Sequence, residues 1–204
     1  MKSIAILSLV ITMSVPFASP QDQPATDKGA PLLLVQEIPL PNVGGRIDHF
    51  TFDAKRKRVV GAALGNNTVE IVDTFAGKDI HSITGGANPQ GLVYVSELDR
   101  LFVANGIPHS ANVLSAIDVV LDRCLGSIDI GHGPDQAAFN EHLHHVYVAN
   151  SGTSTLSVID TVSLKPLGTN GTGHASHSVA VDPTTDLVYV GVERAGIIAV
   201  YHDP

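Results

Sequence analysis

Residues able to bind a ligand or move a proton recur at one place in this chain, just ahead of short apolar runs. They are Arg46, Asp48 and His49; then Asn88 and Gln90; then Asp135 and Gln136; then His177 with Ser178. Carboxylates and imidazoles take up protons or ligate cations, while amides and a guanidinium orient polar groups. Arg46, Asp48, His49, Asn88, Gln90, Asp135, Gln136 and His177 are therefore the candidate ligand-binding residues. The plain alternative is turn chemistry, because Asp and Asn bond the backbone at loop ends.

Histidine offers a second chemistry. "HLHH" runs from His142 to His145, and His132, His174 and His177 could join Asp48, His49 and Asp135 as metal ligands. A metal site needs three or four convergent ligands with outer support. The "HLHH" run falls in a hairpin read as pointing away from the binding end. No metal, no cofactor and no catalytic residue is assigned. The chain has no Gly-x-Ser-x-Gly elbow, P-loop or dinucleotide fingerprint. Asp73, Asp118 and Asp160 recur after a repeated "V/I-D" and are read as acceptors of backbone N–H bonds in the next turn. Asn105 and Asn150 are read as loop caps.

The elements that must position these residues are repeats. "FDAKRKRVVGAA" from Phe52, "YVSELDRLFVAN" from Tyr94, "FNEHLHHVYVAN" from Phe139 and "VDPTTDLVYVGV" from Val181 overlay, with starts 42, 45 and 42 residues apart. "TVEIVD", "VLSAID", "TLSVID" and "IIAVYH" follow in turn. Each unit reads as four short strands rich in β-branched and aromatic residues and bounded by turn residues. No sustained helical period follows Ala30. Four strands at this period predict β-propeller blades, each covering the apolar face of its neighbour. The expected fold class is all-β, a β-propeller of four-stranded antiparallel blades with about four blades present. The blades are expected at about 45–86, 87–133, 134–173 and 174–204. The polar positions then gather at one end of the channel.

"LFVAN", "VYVAN" and "VYVGV", with "GRIDHFTFD", "ALGNNTVEIVD" and "NPQGLVYV", resemble the YVTN repeats of the YncE-like bacterial propellers. The resemblance covers Leu32 to Asp203. It implies a ring that usually has seven blades, and a role ranging from exported propellers to surface-layer proteins and propeller domains of redox enzymes. It also implies that "PLLLVQEIPL", Pro31 to Leu40, is a strand completing a terminal blade. The motif's Thr is Ala104 and Ala149 here, and the fourth copy lacks the Asn. Three arrangements follow: an open arc of a longer protein, which is preferred, a closed four-bladed ring, or two chains pairing into a larger ring. An open arc exposes blade faces and favours self-association.

Residues 1–20 have the form of a secretory signal peptide: Lys2, an apolar run from Ile4 to Val15, then small residues. That run is shorter than the roughly 20 residues a membrane span needs. Residues 21–30 read as a flexible leader, and 31–204 as the propeller. The expected location is periplasmic or secreted, with no membrane contact beyond the signal peptide. Net charge is −8, and −9 once Lys2 is removed, which argues against general nucleic-acid binding. The basic run Lys55 to Arg58 is read as a solvated turn. Cys124 is the only cysteine, so no intrachain disulfide can form. It is read as a small core residue. The function expected is a binding module for a small molecule or protein, without catalysis. The alternative is a propeller lactonase or quinoprotein-like dehydrogenase using a metal or quinone at the channel mouth, with Asp48, His49, Asp135 and His177 as its residues.

Overall fold

Short runs of Val, Ile, Leu and aromatic residues, each closed by Gly, Asn, Asp or Pro, form the strands of four separate sheets. The computed structural model describes Leu32 and residues 34–106, 112–173 and 175–204. The expected signal peptide and leader lie outside the described residues. The first sheet holds β1 (Phe50–Asp53), β2 (Arg58–Ala63), β3 (Thr68–Asp73) and β4 (Lys78–Ile83). The second holds β5 (Pro89–Val95), β6 (Arg100–Asn105), β7 (Asn112–Asp118) and β8 (Arg123–Ile130). The third holds β9 (Pro134–Asn140), β10 (His145–Asn150), β11 (Thr155–Asp160) and β12 (Lys165–Gly171). The fourth holds β13 (Ser176–Asp182), β14 (Leu187–Val192) and β15 (Ile197–His202). Every neighbouring pair is antiparallel. The only helical pieces among the described residues are 3-10 turns at Leu64–Asn66 and Glu193–Ala195. No described helix is long and apolar enough to cross a membrane.

The repeat holds at the level of register. Phe52 pairs with Val59, Tyr94 with Leu101, Phe139 with Val146 and Val181 with Val188. Lys57, Asp99, His144 and Asp186 precede the second strands, and all are left-handed, with φ between 49° and 58°. Their carbonyls accept the N–H of Thr74, Val119, Thr161 and Asp203, at 2.9–3.2 Å, just beyond each third strand. A left-handed non-glycine costs free energy, and its recurrence at one position in four sheets marks it as part of the turn design. Asp73, Asp118 and Asp160 accept the turn N–H groups expected of them: Phe75 and Ala76, Val120 and Leu121, and Ser163.

The core lies between sheets. Val60 and Ala62 of the first sheet meet Leu92, Tyr94, Leu101 and Val103 of the second. Phe102, Ala104 and Leu114 meet Val146 and Val148 of the third, and Tyr147, Ala149 and Leu156 meet Val179, Val188 and Val190 of the fourth. Each interface repeats one pattern, with one face of a sheet covered by the opposite face of the next. Among the described residues nothing covers the outer faces of the first and fourth sheets in this way. Phe50 is 60% exposed and Phe52 51%, against 68% for Ile198.

Residues 34–40 are not in a strand and the fourth sheet holds three strands, while Pro31 and Leu33 of the segment expected to complete a terminal blade lie outside the described residues. Two local expectations are corrected. Cys124 is exposed, because β8 is an edge strand with one uncovered side. Arg56 is not a solvated turn residue. It reaches into the second sheet, 2.8 Å from both Tyr94 Oη and Asp99 Oδ1 and 3.2 Å from Asp53 Oδ2. The guanidinium, and after it the Tyr94 hydroxyl, hold the Asp99 carboxyl well below its usual range. Burial, and then the bond to Asp99, push Tyr94 up to about 12.

Candidate functional site

The innermost strands β1, β5, β9 and β13 start at the same end of the arc, and each is preceded by a short loop. On the first sheet that loop is tied down by two backbone bonds, Asp48 N–H to Ala62 O at 2.8 Å and Ala62 N–H to His49 O at 3.0 Å. These bonds face the Asp48 side chain inward, where it is only 5% exposed. Asp48 Oδ1 accepts a 2.5 Å bond from the Arg46 guanidinium, while Oδ2 is buried with no partner among the described residues. His49 Nδ1 lies 3.4 Å from Asp48 Oδ1 and is likewise buried with no hydrogen-bond partner among the described residues.

The strongest result is that His49 meets the third sheet. Its Nε2 lies 3.7 Å from Asp135 Oδ1. The other carboxylate oxygen of Asp135 is 2.7 Å from His177 Nδ1 on the fourth sheet, and His177 Nε2 is 3.2 Å from Glu193 Oε2. One chain of polar groups therefore joins the first, third and fourth sheets. Gly91 of β5 makes this approach possible. A Cβ there would lie 1.9 Å from the Asp135 carbonyl oxygen and 2.8 Å from Ala137 N. Only glycine lets β9 come this close to β5.

Of the predicted residues, Arg46, Asp48, His49, Asp135 and His177 are brought together. Gln136 begins to turn away: its Oε1 accepts the Val179 N–H at 3.1 Å and links β9 to β13. Asn88 is a turn residue with φ 55°, its N–H given to Asn67 Oδ1 at 2.8 Å and its carbonyl accepting from Gly106. The Gln90 amide nitrogen lies beside Gly106, where an added Cβ would meet it at 2.7 Å. Asn88 and Gln90 thus rim the end of the arc on the second sheet without joining the network.

His132 is exposed and gives its carbonyl to Thr153 N–H, and His174 lies outside the described residues. In the "HLHH" run, His142 Nδ1 sits 2.9 Å from Asp186 Oδ2, and His145 Nδ1 sits 2.8 Å from Asp203 Oδ2. Both tie the third sheet to the fourth. Asn105 and Asn150 are buried, and their amide N–H groups bond Val103 O with Ser115 Oγ, and Val148 O with Ser157 Oγ. These bonds hold the end of the second strand to the third, a structural role made within the strands where a loop cap was expected.

Sequence reasoning missed Glu193. It stands just after "VYVGV", where the other copies have Leu64, Gly106 and Ser151, so a lone acid at this repeat position was the available signal. The chemistry of the assembled groups is clear from their types. Asp48, Asp135 and Glu193 outnumber Arg46, so the site attracts cations and hydrogen-bond donors.

No protein-family model matches the chain, and no curated protein matches it in sequence. Among solved structures it is similar to Kuenenia stuttgartiensis hydrazine synthase, with TM-score 0.68 and 18% identity, over 85% of this chain and 47% of that one. It is also similar to dihydro-heme d1 dehydrogenase NirN in complex with DHE, with TM-score 0.60 and 17% identity, over 76% of this chain and 35% of that one. The chain therefore spans about half the length of the first and a third of the second. At such identities the likeness concerns fold alone. Both neighbours are β-propeller proteins, and with its recurring antiparallel sheets this chain has the β-propeller fold.

Proposed function

We propose that this chain is an exported, YncE-like propeller module that binds a ligand where its innermost strands begin, with no catalysis of its own. One observation carries the reading. Asp48, His49, Asp135 and His177, from three different sheets, form one partly buried polar network. Core turns do not need such an assembly, and Asp48 Oδ2 gains nothing structural from it. The excess of carboxylates selects a small molecule or protein segment that presents a cationic or donor group. Asn88 and Gln90 add amides at the rim. The signal-peptide form of residues 1–20 supports export. The exposed outer sheet faces support self-association, and the acidic balance disfavours nucleic acid.

A thermal-shift screen with amines, amino sugars, small carboxylates and basic peptides tests this. At least one amine or basic peptide raises the Tm of the wild type, and Asp135→Asn or His177→Ala abolishes the shift. A protein indifferent to the whole panel, or shifts that survive both substitutions, would refute the reading. The Asp135–His177 pair, at 2.7 Å, favours a second reading as a propeller lactonase or quinoprotein-like dehydrogenase. Turnover of a lactone that is lost in Asp135→Asn would establish it instead.

A further inference from the structure

We infer that Asp48, His49 and Asp135 bind one divalent transition-metal cation, an inference that rests on the binding-site reading above and names what occupies that site. Each carboxylate has one oxygen engaged and the other free. Asp48 Oδ1 accepts from the Arg46 guanidinium, and Oδ2 is buried with no partner among the described residues, in a side chain only 5% exposed. Asp135 gives Oδ2 to His177 and turns Oδ1 toward His49 Nε2, at 3.7 Å. That distance is too long for a hydrogen bond.

His49 stands between them, with Nδ1 buried and unpaired, 3.4 Å from Asp48 Oδ1. One ligand atom from each of the three residues lies within 4.8 Å of the others. The 3.4 Å and 3.7 Å approaches use opposite nitrogens of His49, so a single ion takes one of them and draws in one oxygen of each carboxylate from within 4.8 Å to about 2.0–2.1 Å.

The free oxygen of Asp48 is the independent sign. Leaving a buried acceptor unpaired is costly, and more so when it is charged. A cation relieves that cost, and no described side chain does. Arg46 opposes it by lowering the local negative charge. Its side chain is 66% exposed, however, so water and salt screen it. Arg46 on Asp48 and His177 on Asp135 then act as outer groups that orient ligating carboxylates. One imidazole nitrogen with two carboxylate oxygens suits Zn²⁺, Co²⁺ or Mn²⁺ better than Ca²⁺ or Mg²⁺, which favour all-oxygen sets. Three protein ligands leave a coordination position for a donor group of the bound molecule.

Co²⁺ is the probe. The tag-free, chelator-stripped protein is titrated with CoCl₂, read by visible d–d absorption and equilibrium dialysis. One Co²⁺ per chain is expected. His49→Gln and Asp135→Asn each weaken binding by about 100-fold or more, and His177→Gln, which removes the imidazole that orients Asp135, by about 10-fold. His142→Gln, whose partner is Asp186, leaves binding unchanged. Circular dichroism checks that the variants fold, and the half-exposed His177 variant decides if the others do not. No Co²⁺ bound at millimolar concentration overturns the inference, as does equal affinity in the ligand variants. If Co²⁺ fails while amine-induced Tm shifts still depend on Asp135, only the cation is lost. If both fail, the binding-site reading falls with it.

Discussion

Gly91→Ala should be among the most damaging single-methyl additions in this protein, and Gly126→Ala should be harmless. Neither glycine has a positive φ, so an alanine meets no backbone objection at either place. The difference is steric. At Gly91 the new Cβ would stand 1.9 Å from the Asp135 carbonyl oxygen and 2.8 Å from Ala137 N, both rigid backbone. β5 and β9 must separate by more than about 1 Å to restore ordinary contact, which loosens the packing between the second and third sheets. Overpacking of this kind costs about 3 kcal/mol, the upper end of the usual range. For a domain of this size that lowers Tm by about 6–12 °C. At Gly126, on β8, nothing lies within 4 Å of the added Cβ. There alanine restricts the unfolded chain and raises stability by about 0.5 kcal/mol, or about 1–2 °C. Thermal and urea unfolding followed by circular dichroism measure both. If Gly91→Ala unfolds within 1–2 °C of the wild type, roughly the scatter expected for a neutral surface change, β5 and β9 are not in backbone contact. The close packing that carries Asp135 toward His49 would then be wrong.

Two further outcomes follow from the stacking of the sheets. Phe102 is fully buried between the second and third sheets, so Phe102→Ala should cost about 3–5 kcal/mol in urea unfolding. Phe52, at 51% exposed on the open first sheet, should cost only about 1 kcal/mol, and equal costs would mean that its face is covered in solution. Asp99 is held ionised by Arg56 and Tyr94, so its folded-state pKa lies below the unfolded value. Its contribution is complete above the ordinary carboxylate value of about 3.9 and is lost as pH falls through the lowered one. Asp99→Asn should therefore flatten the acid side of the stability curve. Parallel losses of stability in wild type and variant between pH 5 and pH 2, the range over which such a carboxylate titrates, would contradict this.

Much of the molecule was legible in its order of residues, because blade structure is local. A strand pairs with the next one along, so the alternation in "LFVAN" and "VYVAN" settles which side chains share a face. The Asp of "V/I-D" bonds N–H groups two and three residues on, which also needs no distant partner. The candidate site was legible only as a set of positions. That Asp48, His49, Asp135 and His177 meet, while Asn88, Gln90 and Gln136 serve turns and strand contacts, depends on how sharply successive sheets fold about their inner strands. That curvature is set by contacts such as Gly91 against Asp135, between residues far apart in the chain. The same holds for Arg56 crossing to Asp99, and for Glu193 reaching His177. Local order determines a sheet and its faces, but side chains from separate sheets converge only through packing, which no short stretch of sequence encodes.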